Sequence, residues 1–325
     1  MSKNYDANPF NERSPGNSDS AGALLRLRDT SNGPHFIYDG EASYVLKHEN
    51  FVFSSTKTFE CGQCFRFDRA EQGLYKGVLA GRFVSVDGYD GYAEVKVLEG
   101  PCGDSFASYL DYFFDVATDY RRLSYELSLK DDVMKDAVNA SCGIRLLNQD
   151  FFETVISFIL SANNNIPRIK KCIENLCRNY GKKIANGIFA FPEAEALSKC
   201  SGSEISELCK VGYRGPYIAE TSKLFASGDM DYCNILKLST NEKYKNILSL
   251  PGVGPKVLNC IMLFTGLDRS AFPVDVWVER MMNELYGLDI TDRVKLEKYG
   301  RDYFGENAGL AQQYLFYYIR QIHGK

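Results

Sequence analysis

Lys256 and Asp275 are the two side chains whose surroundings in this sequence best suit chemistry. Lys256 ends the run Leu248-Ser-Leu-Pro-Gly-Val-Gly-Pro-Lys256, which sets the turn Pro251-Gly252-Val253-Gly254 between two apolar stretches of helical character. Two glycines let a backbone bend sharply and come close to another molecule. Pro255 suits the first position of a new helix. The unpaired amides of that helix start, at the positive end of its dipole, make a seat for a phosphate. A primary amine therefore stands beside the seat, where the dipole opposes an ammonium and favours the neutral form that a nucleophile needs. Asp275 precedes another helical run and suits its N-cap. Its carboxylate would also stabilise positive charge building on a sugar as a glycosidic bond breaks. Phosphate seat, amine and carboxylate together suit chemistry on a DNA sugar, although by type alone Lys256 also reads as a solvated surface lysine.

Two kinds of segment must position these groups. From about residue 36 to 100, short runs such as Phe51-Val-Phe53, Gly77-Val-Leu79 and Arg82-Phe-Val-Ser-Val86 lie between Gly and Asp turns. They predict an antiparallel sheet. Tyr109, Tyr112, Phe113 and Leu123 stand at helical spacings within 104–134 and predict helices packed on it. From about 141 onward helices are predicted over 151–160, 169–180, 204–211, 216–227, 244–249, 256–264, 276–286 and 310–322. The fold class is α+β. The expected division is a disordered tail over 1–34, an N-terminal β-rich domain with helices over 35–140, and a helical domain over 141–325 with its hairpin at about 244–264.

The chain has 325 residues, enough for two domains or one large one. No uncharged apolar run reaches the length of a membrane span and no signal-peptide pattern opens the chain, so an intracellular address is expected. Ten cysteines at irregular spacings read as free thiols. Cys61-Gly-Gln-Cys64 lacks a second pair at zinc-ribbon spacing. The three histidines, His35, His48 and His323, all lie far from the Lys256 motif, which speaks against a histidine triad. A formal charge of −4 speaks against a broad basic groove and favours a narrow footprint, held partly by uncharged backbone amides.

Five ordered blocks carry a resemblance. Besides the hairpin and Phe272-Pro273-Val-Asp275, they are Cys61-Gly-Gln-Cys-Phe-Arg66, Gly143-Ile-Arg-Leu-Leu-Asn-Gln-Asp150, Ser161-Ala-Asn-Asn-Asn-Ile-Pro-Arg168, Val211-Gly-Tyr-Arg214 and Ala308-Gly-Leu-Ala-Gln-Gln-Tyr-Leu-Phe316. Together they resemble the 8-oxoguanine DNA glycosylase/AP lyases of the helix-hairpin-helix DNA glycosylase superfamily, over roughly residues 40–325. The resemblance implies a bifunctional enzyme that excises 8-oxoguanine from duplex DNA opposite cytosine, through a lysine Schiff base and β-elimination. It implies catalytic roles for Lys256 and Asp275. The lesion-base pocket would be formed by Gly62, Cys260, Pro273, Gln312 and Phe316. Phe316 would stack on the extruded base, Gln312 would bond its Watson–Crick edge, and the Gly62 carbonyl would accept from the N7–H that oxidation adds. Asn163, Arg168, Tyr213 and Arg214 would occupy the gap in the opposite strand, and Gly252, Gly254 and Val257 would meet the DNA backbone.

On spacing alone, Gln312 and Phe316 read as core residues four apart on one helix face, Gly62 as a turn glycine, and the two arginines as phosphate ligands or surface charges. The resemblance further implies a monomer with no organic cofactor. No cysteine follows Cys260, which argues against the iron–sulfur loop of endonuclease III relatives. The carbonyls of Leu248, Leu250 and Val253 would suit a structural monovalent cation. Trp277 departs from the pattern, since many relatives carry histidine two residues after the aspartate, and indole cannot take a positive charge. The alternatives are a glycosylase of the same fold for another damaged base, or a non-catalytic helix-hairpin-helix DNA-binding protein.

Overall fold

The computed structural model describes residues 33–71 and 73–323, so nearly all of the tail expected over 1–34 lies outside the described residues. Alternating apolar residues build a six-stranded antiparallel sheet from β1 Ile37–Tyr38, β2 Ser43–Lys47, β3 Phe67–Arg69, β4 Tyr75–Leu79, β5 Arg82–Tyr89 and β6 Tyr92–Glu99. Its spatial order is β1-β2-β6-β5-β4-β3. Ala93, Val95 and Val97 of β6 point to one face, as period-two side chains must, and Val95 pairs with Val86 and with Tyr44 across the two neighbouring strands. The helix Asp104–Phe113 covers that face with Phe106, Tyr109, Leu110 and Phe113.

A second core belongs to the helices. Its centre is the pair Phe151–Ser161 and Pro255–Phe264, whose side chains are almost all buried. Residues from Tyr120 to Val138 join this core, which also takes in Val52, Cys61 and Phe65 of the sheet region, while Leu147 packs on the sheet side. Tyr120, Leu127, Met134 and Val138 turn their apolar faces towards the helical core, where Ser124 and Ser141 bond Tyr314 of the last helix, Ala308–Ile322. Helical spacing within 104–134 is legible in the sequence; the direction in which the later part of that face points is not.

The helix Arg293–Phe304 is a further element that the periodicity reading missed. Asp292 caps it and Leu296, Gly300 and Phe304 face inward at four-residue spacing. Gly300, which looks like a breaker, is there because a Cβ would stand 2.7 Å from the Phe272 ring. That close approach seats Phe272, and so the start of the Pro273–Asp275 loop.

Residues 143–150 strap the two cores together. Arg145 is fully buried at 0% exposure. Its guanidinium donates to the carbonyls of Phe114 (2.7 Å), Val52 (3.0 Å), Asp115 (2.6 Å) and Thr118 (3.3 Å). The rings of Phe51 and Tyr120 lie 4.6 and 4.1 Å from its Cζ. A buried charge is tolerated when its donors are met in this way.

Candidate active site

The hairpin sets the position of the amine. Its first helix, Thr240–Leu248, opens with a capping box in which Ser239 and Glu242 satisfy each other's backbone amides. The chain then turns through Leu250 and Val253, whose amide bonds the Leu250 carbonyl at 3.1 Å. Gly252 has φ +81°, and a Cβ there would lie 2.8 Å from the Tyr217 ring, so both conformation and contact demand glycine. Pro255–Phe264 starts with Gly254 as a cap that has no side chain and Pro255 in its first turn. The amides of Lys256 and Val257 find no acceptor among the described residues. They form the seat for a phosphate oxygen that the turn predicts. The Val257 side chain itself is buried, so only its amide faces outward.

Lys256 is half-buried. Its Nζ lies 3.1 Å from Ser161 Oγ and 5.4 Å from the centre of the Phe158 ring. Phe158 in turn packs against Phe264 at 5.3 Å and Phe65 at 5.5 Å, which links the lysine to the Cys61–Arg66 loop of the sheet domain. Cys260, one turn below Lys256, is buried. Burial pushes its thiol up from the ordinary value, while Lys256 pulls it down and Asp275 pushes it further up. One sulfur therefore feels both catalytic candidates.

Asp275 caps Val276–Tyr286, as its position predicts. Its Oδ1 accepts from Trp277 and Val278 amides at 2.9 Å each. Oδ2 has no hydrogen bond among the described residues, so one oxygen anchors the group and the other is available to a developing positive charge. Pro273, just before it, is buried. At the departing position, Trp277 is exposed with the Arg280 guanidinium 5.5 Å over its ring. A positive charge thus stands beside the indole although the indole carries none.

Gly62 and Phe316 stand close to each other. Gly62 has φ +87°, and a Cβ there would meet Ile166 Cδ1 at 3.8 Å and Phe316 Cε1 at 3.9 Å. The loop is held by Gln63, whose amide donates to Thr58 and Arg145 carbonyls at 3.0 and 2.8 Å and accepts from Leu147 at 2.9 Å. Gln149 Nε2 bonds the Gln63 carbonyl at 2.7 Å. Arg320 ties Glu60 to the last helix, 5.7 Å from the Phe316 ring. Gln312, one turn before Phe316, is buried.

Cys260 thus lies within electrostatic reach of both Lys256 and Asp275, and Phe316, one turn after Gln312 on the last helix, lies close to Gly62. Ser161, Phe158, Gln63 and Gln149 are supporting residues that the sequence reading did not assign. Their blocks were visible, but nothing in a sequence shows which atoms they reach.

The gap-facing residues are less uniform. Asn163 is exposed with φ +49°, Arg168 is exposed in the first turn of Ile166–Tyr180, and Tyr213 is 56% exposed. Arg214 differs: it is 3% exposed, and its guanidinium donates to the carbonyls of Ala162, Val211 (3.2 Å) and Asn163 (3.2 Å). In this arrangement Arg214 props the left-handed turn at Asn163 and stacks at 4.4 Å on Tyr213, rather than presenting its donors outward.

A hairpin with free amides, an adjoining amine and a capped aspartate define a helix-hairpin-helix base-excision site. Residues 156–304 match the model of the HhH-GPD superfamily of base excision DNA repair proteins, and residues 44–155 that of the 8-oxoguanine DNA glycosylase N-terminal domain. A probable N-glycosylase/DNA lyase of Methanothermobacter thermautotrophicus is 35% identical over 235 residues, which are 65% of this chain and 74% of that protein. The N-glycosylase/DNA lyase OGG1 of Arabidopsis thaliana is 31% identical, over 84% of this chain and 79% of its own. Among solved structures, the Clostridium acetobutylicum 8-oxoguanine glycosylase/lyase, in complex with double-stranded DNA containing cytosine opposite 8-oxoguanine, is 36% identical with TM-score 0.80, covering 90% of this chain and 99% of that one. The chain belongs to the 8-oxoguanine DNA glycosylase family.

Proposed function

We propose that the protein is a bifunctional 8-oxoguanine DNA glycosylase/AP lyase acting on duplex DNA, with a preference for cytosine opposite the lesion. The observation that carries this reading is the Lys256 amine at the start of the hairpin's second helix, beside Asp275 and Cys260 and joined through Phe158 to the loop that bears Gly62.

In the reaction, neutral Lys256 attacks C1′ of the extruded nucleotide while the N-glycosidic bond breaks and the base departs with the bond's electron pair. Asp275 Oδ2 stabilises the positive charge on the sugar as that bond lengthens. The amine loses its protons as the sugar ring opens to the imine. Removal of a C2′ proton then expels the 3′ phosphate, completing β-elimination. Base and lyase steps draw their nucleophile and carboxylate from the chain itself, so neither calls for an organic cofactor.

The base would lie between Phe316 and Cys260 with its oxidised edge towards Gly62. Asn163, Arg168 and Tyr213 would meet the orphaned partner, with Arg214 holding the turn beneath them. A monovalent cation would suit the hairpin, since the Leu248 and Val253 carbonyls accept no backbone hydrogen bond among the described residues while the Leu250 carbonyl takes only the Val253 amide. A monomer working inside the cell fits this reading. Among the described residues, no helix is long and apolar enough to cross a membrane.

Borohydride trapping on duplexes carrying 8-oxoguanine, an oxidised pyrimidine or an alkylated purine tests the reading. The expected result is a covalent adduct with 8-oxoguanine DNA. Absence of any adduct on an abasic duplex would remove the amine mechanism, and trapping strongest on another lesion would reassign the substrate.

A further inference from the structure

Arg280 carries a charge that nothing in the protein answers. It is exposed, and among the described residues its guanidinium makes no hydrogen bond and no ion pair. The carboxylates of its own helix, Val276–Tyr286, are engaged elsewhere. Glu279 binds Arg293 at 2.7 Å, Glu284 meets His323 at 3.1 Å, and Asp275 caps the helix start through Oδ1. What holds Arg280 is the Trp277 indole, with the guanidinium Cζ 5.5 Å from the ring centre. Long side chains on a helix lean towards its N-terminus, so an arginine three residues after the tryptophan is carried back over it. The positive charge is thereby drawn to the first turn, beside Asp275. That turn also shows solvent two large apolar side chains, Val276 at 37% and Trp277 at 49% exposure. Apolar surface beside an unanswered cation marks a contact face.

We infer that Arg280, held flat on the Trp277 ring, binds a backbone phosphate next to the lesion nucleotide. This rests on the proposed reading of Asp275 as the carboxylate that faces the reacting sugar. A sugar within a DNA strand carries a phosphate on each side. The strand that brings C1′ to Asp275 therefore lays a phosphate near the first turn of the same helix. Of the side chains that turn exposes, Val276 and Trp277 carry no charge, and Arg280 brings one to them. A guanidinium is planar, so it can lie on the indole face and still direct N–H donors from its edge to two phosphate oxygens. The indole supplies the surface and the arginine the charge, at a position where tryptophan alone supplies none. This second phosphate hold differs in kind from the seat at the Lys256 and Val257 amides. Amides carry no formal charge, whereas an arginine that neutralises a phosphate releases counterions and makes binding depend on salt.

The experiment measures affinity for a duplex carrying a tetrahydrofuran abasic analogue at several salt concentrations. It compares the wild type, Arg280→Ala, Arg280→Lys, Trp277→Ala and the double variant Arg280→Ala/Trp277→Ala. Both side chains are exposed, and melting temperatures confirm that each variant is folded. Arg280→Ala is expected to weaken binding by roughly tenfold at the lowest salt, and to lower the dependence of log affinity on log salt by about one charge. Arg280→Lys keeps the charge without the flat fork, so it should keep the salt dependence and recover only part of the affinity. Trp277→Ala should weaken binding by less than Arg280→Ala, since the arginine remains but is no longer held. The double variant should then bind about as well as Arg280→Ala, because the ring acts through the arginine. An unchanged salt dependence in Arg280→Ala would overturn the phosphate contact. Losses that add in the double variant, or full recovery in Arg280→Lys, would overturn the role of the Trp277 ring. Borohydride trapping of the wild type on 8-oxoguanine DNA checks the underlying reading independently, so a failure there and a failure of the Arg280 contact are told apart.

Discussion

On the lysine side, the groups that would meet the extruded nucleotide are held in place by hydrogen bonds and packing before any ligand arrives. Lys256 is held at Ser161, Asp275 is fixed by two amides, and the Gly62 loop is braced by Gln63 and Gln149. Across the site, Asn163, Arg168 and Tyr213 stand exposed, and Arg214 is spent on the carbonyls of its own turn. Electrostatic catalysis gains from groups that need not reorganise during the reaction, so rigidity suits the first side. The second side reads a partner strand that must first lose its base, and there contacts are assembled on the DNA. The two sides touch at Ile166, which leans on the Gly62 loop from the first turn of the helix carrying Arg168.

If the preformed side carries the chemistry, its variants should lose rate and keep binding. Lys256→Gln is expected to abolish borohydride trapping and strand nicking, with the melting temperature and affinity for abasic-site DNA close to wild type. Undiminished trapping would move the nucleophile elsewhere. Asp275→Asn retains much of the capping ability and removes the charge. Single-turnover base loss is expected to fall by roughly two to three orders of magnitude, as for other transition-state contacts. A rate near wild type would limit Asp275 to holding its helix.

The two buried arginines sharpen the contrast in stability rather than rate. Arg145→Met would strand four carbonyls in a sealed interface and remove a cation held between two rings. A loss of about 3–5 kcal/mol is expected, the scale for removing one side of a buried charged network. Arg214→Met strands carbonyls on a turn that water reaches at exposed Asn163, so about 1 kcal/mol is expected. Urea titration of both variants decides: equal losses would show that the Arg214 turn is as rigid as the strap.

This contrast also explains what was legible in the sequence. The hairpin, Lys256 and the Asp275 cap follow local rules of turns and helix ends, which depend on neighbours in the chain. The sheet follows from alternation. What stayed hidden depends on distant contacts. Residues 104–134 read as helices packed on the sheet because the last helix could not be seen beneath Tyr120, Leu127 and Met134. Arg145 and Arg214 are the same residue type and show no sequence sign of being buried.

The opposite base tests the assembled side most directly. Arg168 is exposed in the first turn of Ile166–Tyr180, close to Asn163 and free of any hydrogen bond from its guanidinium among the described residues. Cytosine offers O2 and N3 as acceptors to such a donor and N4–H to an acceptor such as the Asn163 amide oxygen, whereas adenine is larger and presents a different edge. Excision of 8-oxoguanine opposite cytosine should therefore exceed excision opposite adenine, by roughly tenfold for one well-formed contact of this kind. Arg168→Ala should reduce that ratio and leave abasic-site trapping intact. If Arg168 instead binds phosphate, its loss weakens binding about equally for every partner base and lowers the salt dependence of affinity by about one charge. Single-turnover rates opposite all four bases, in both proteins and at two salt concentrations, separate the cases. Equal wild-type rates opposite cytosine and adenine would mean that the exposed side reads no base at all, and an unchanged ratio in the variant would pass the reading to Asn163 and a released Arg214.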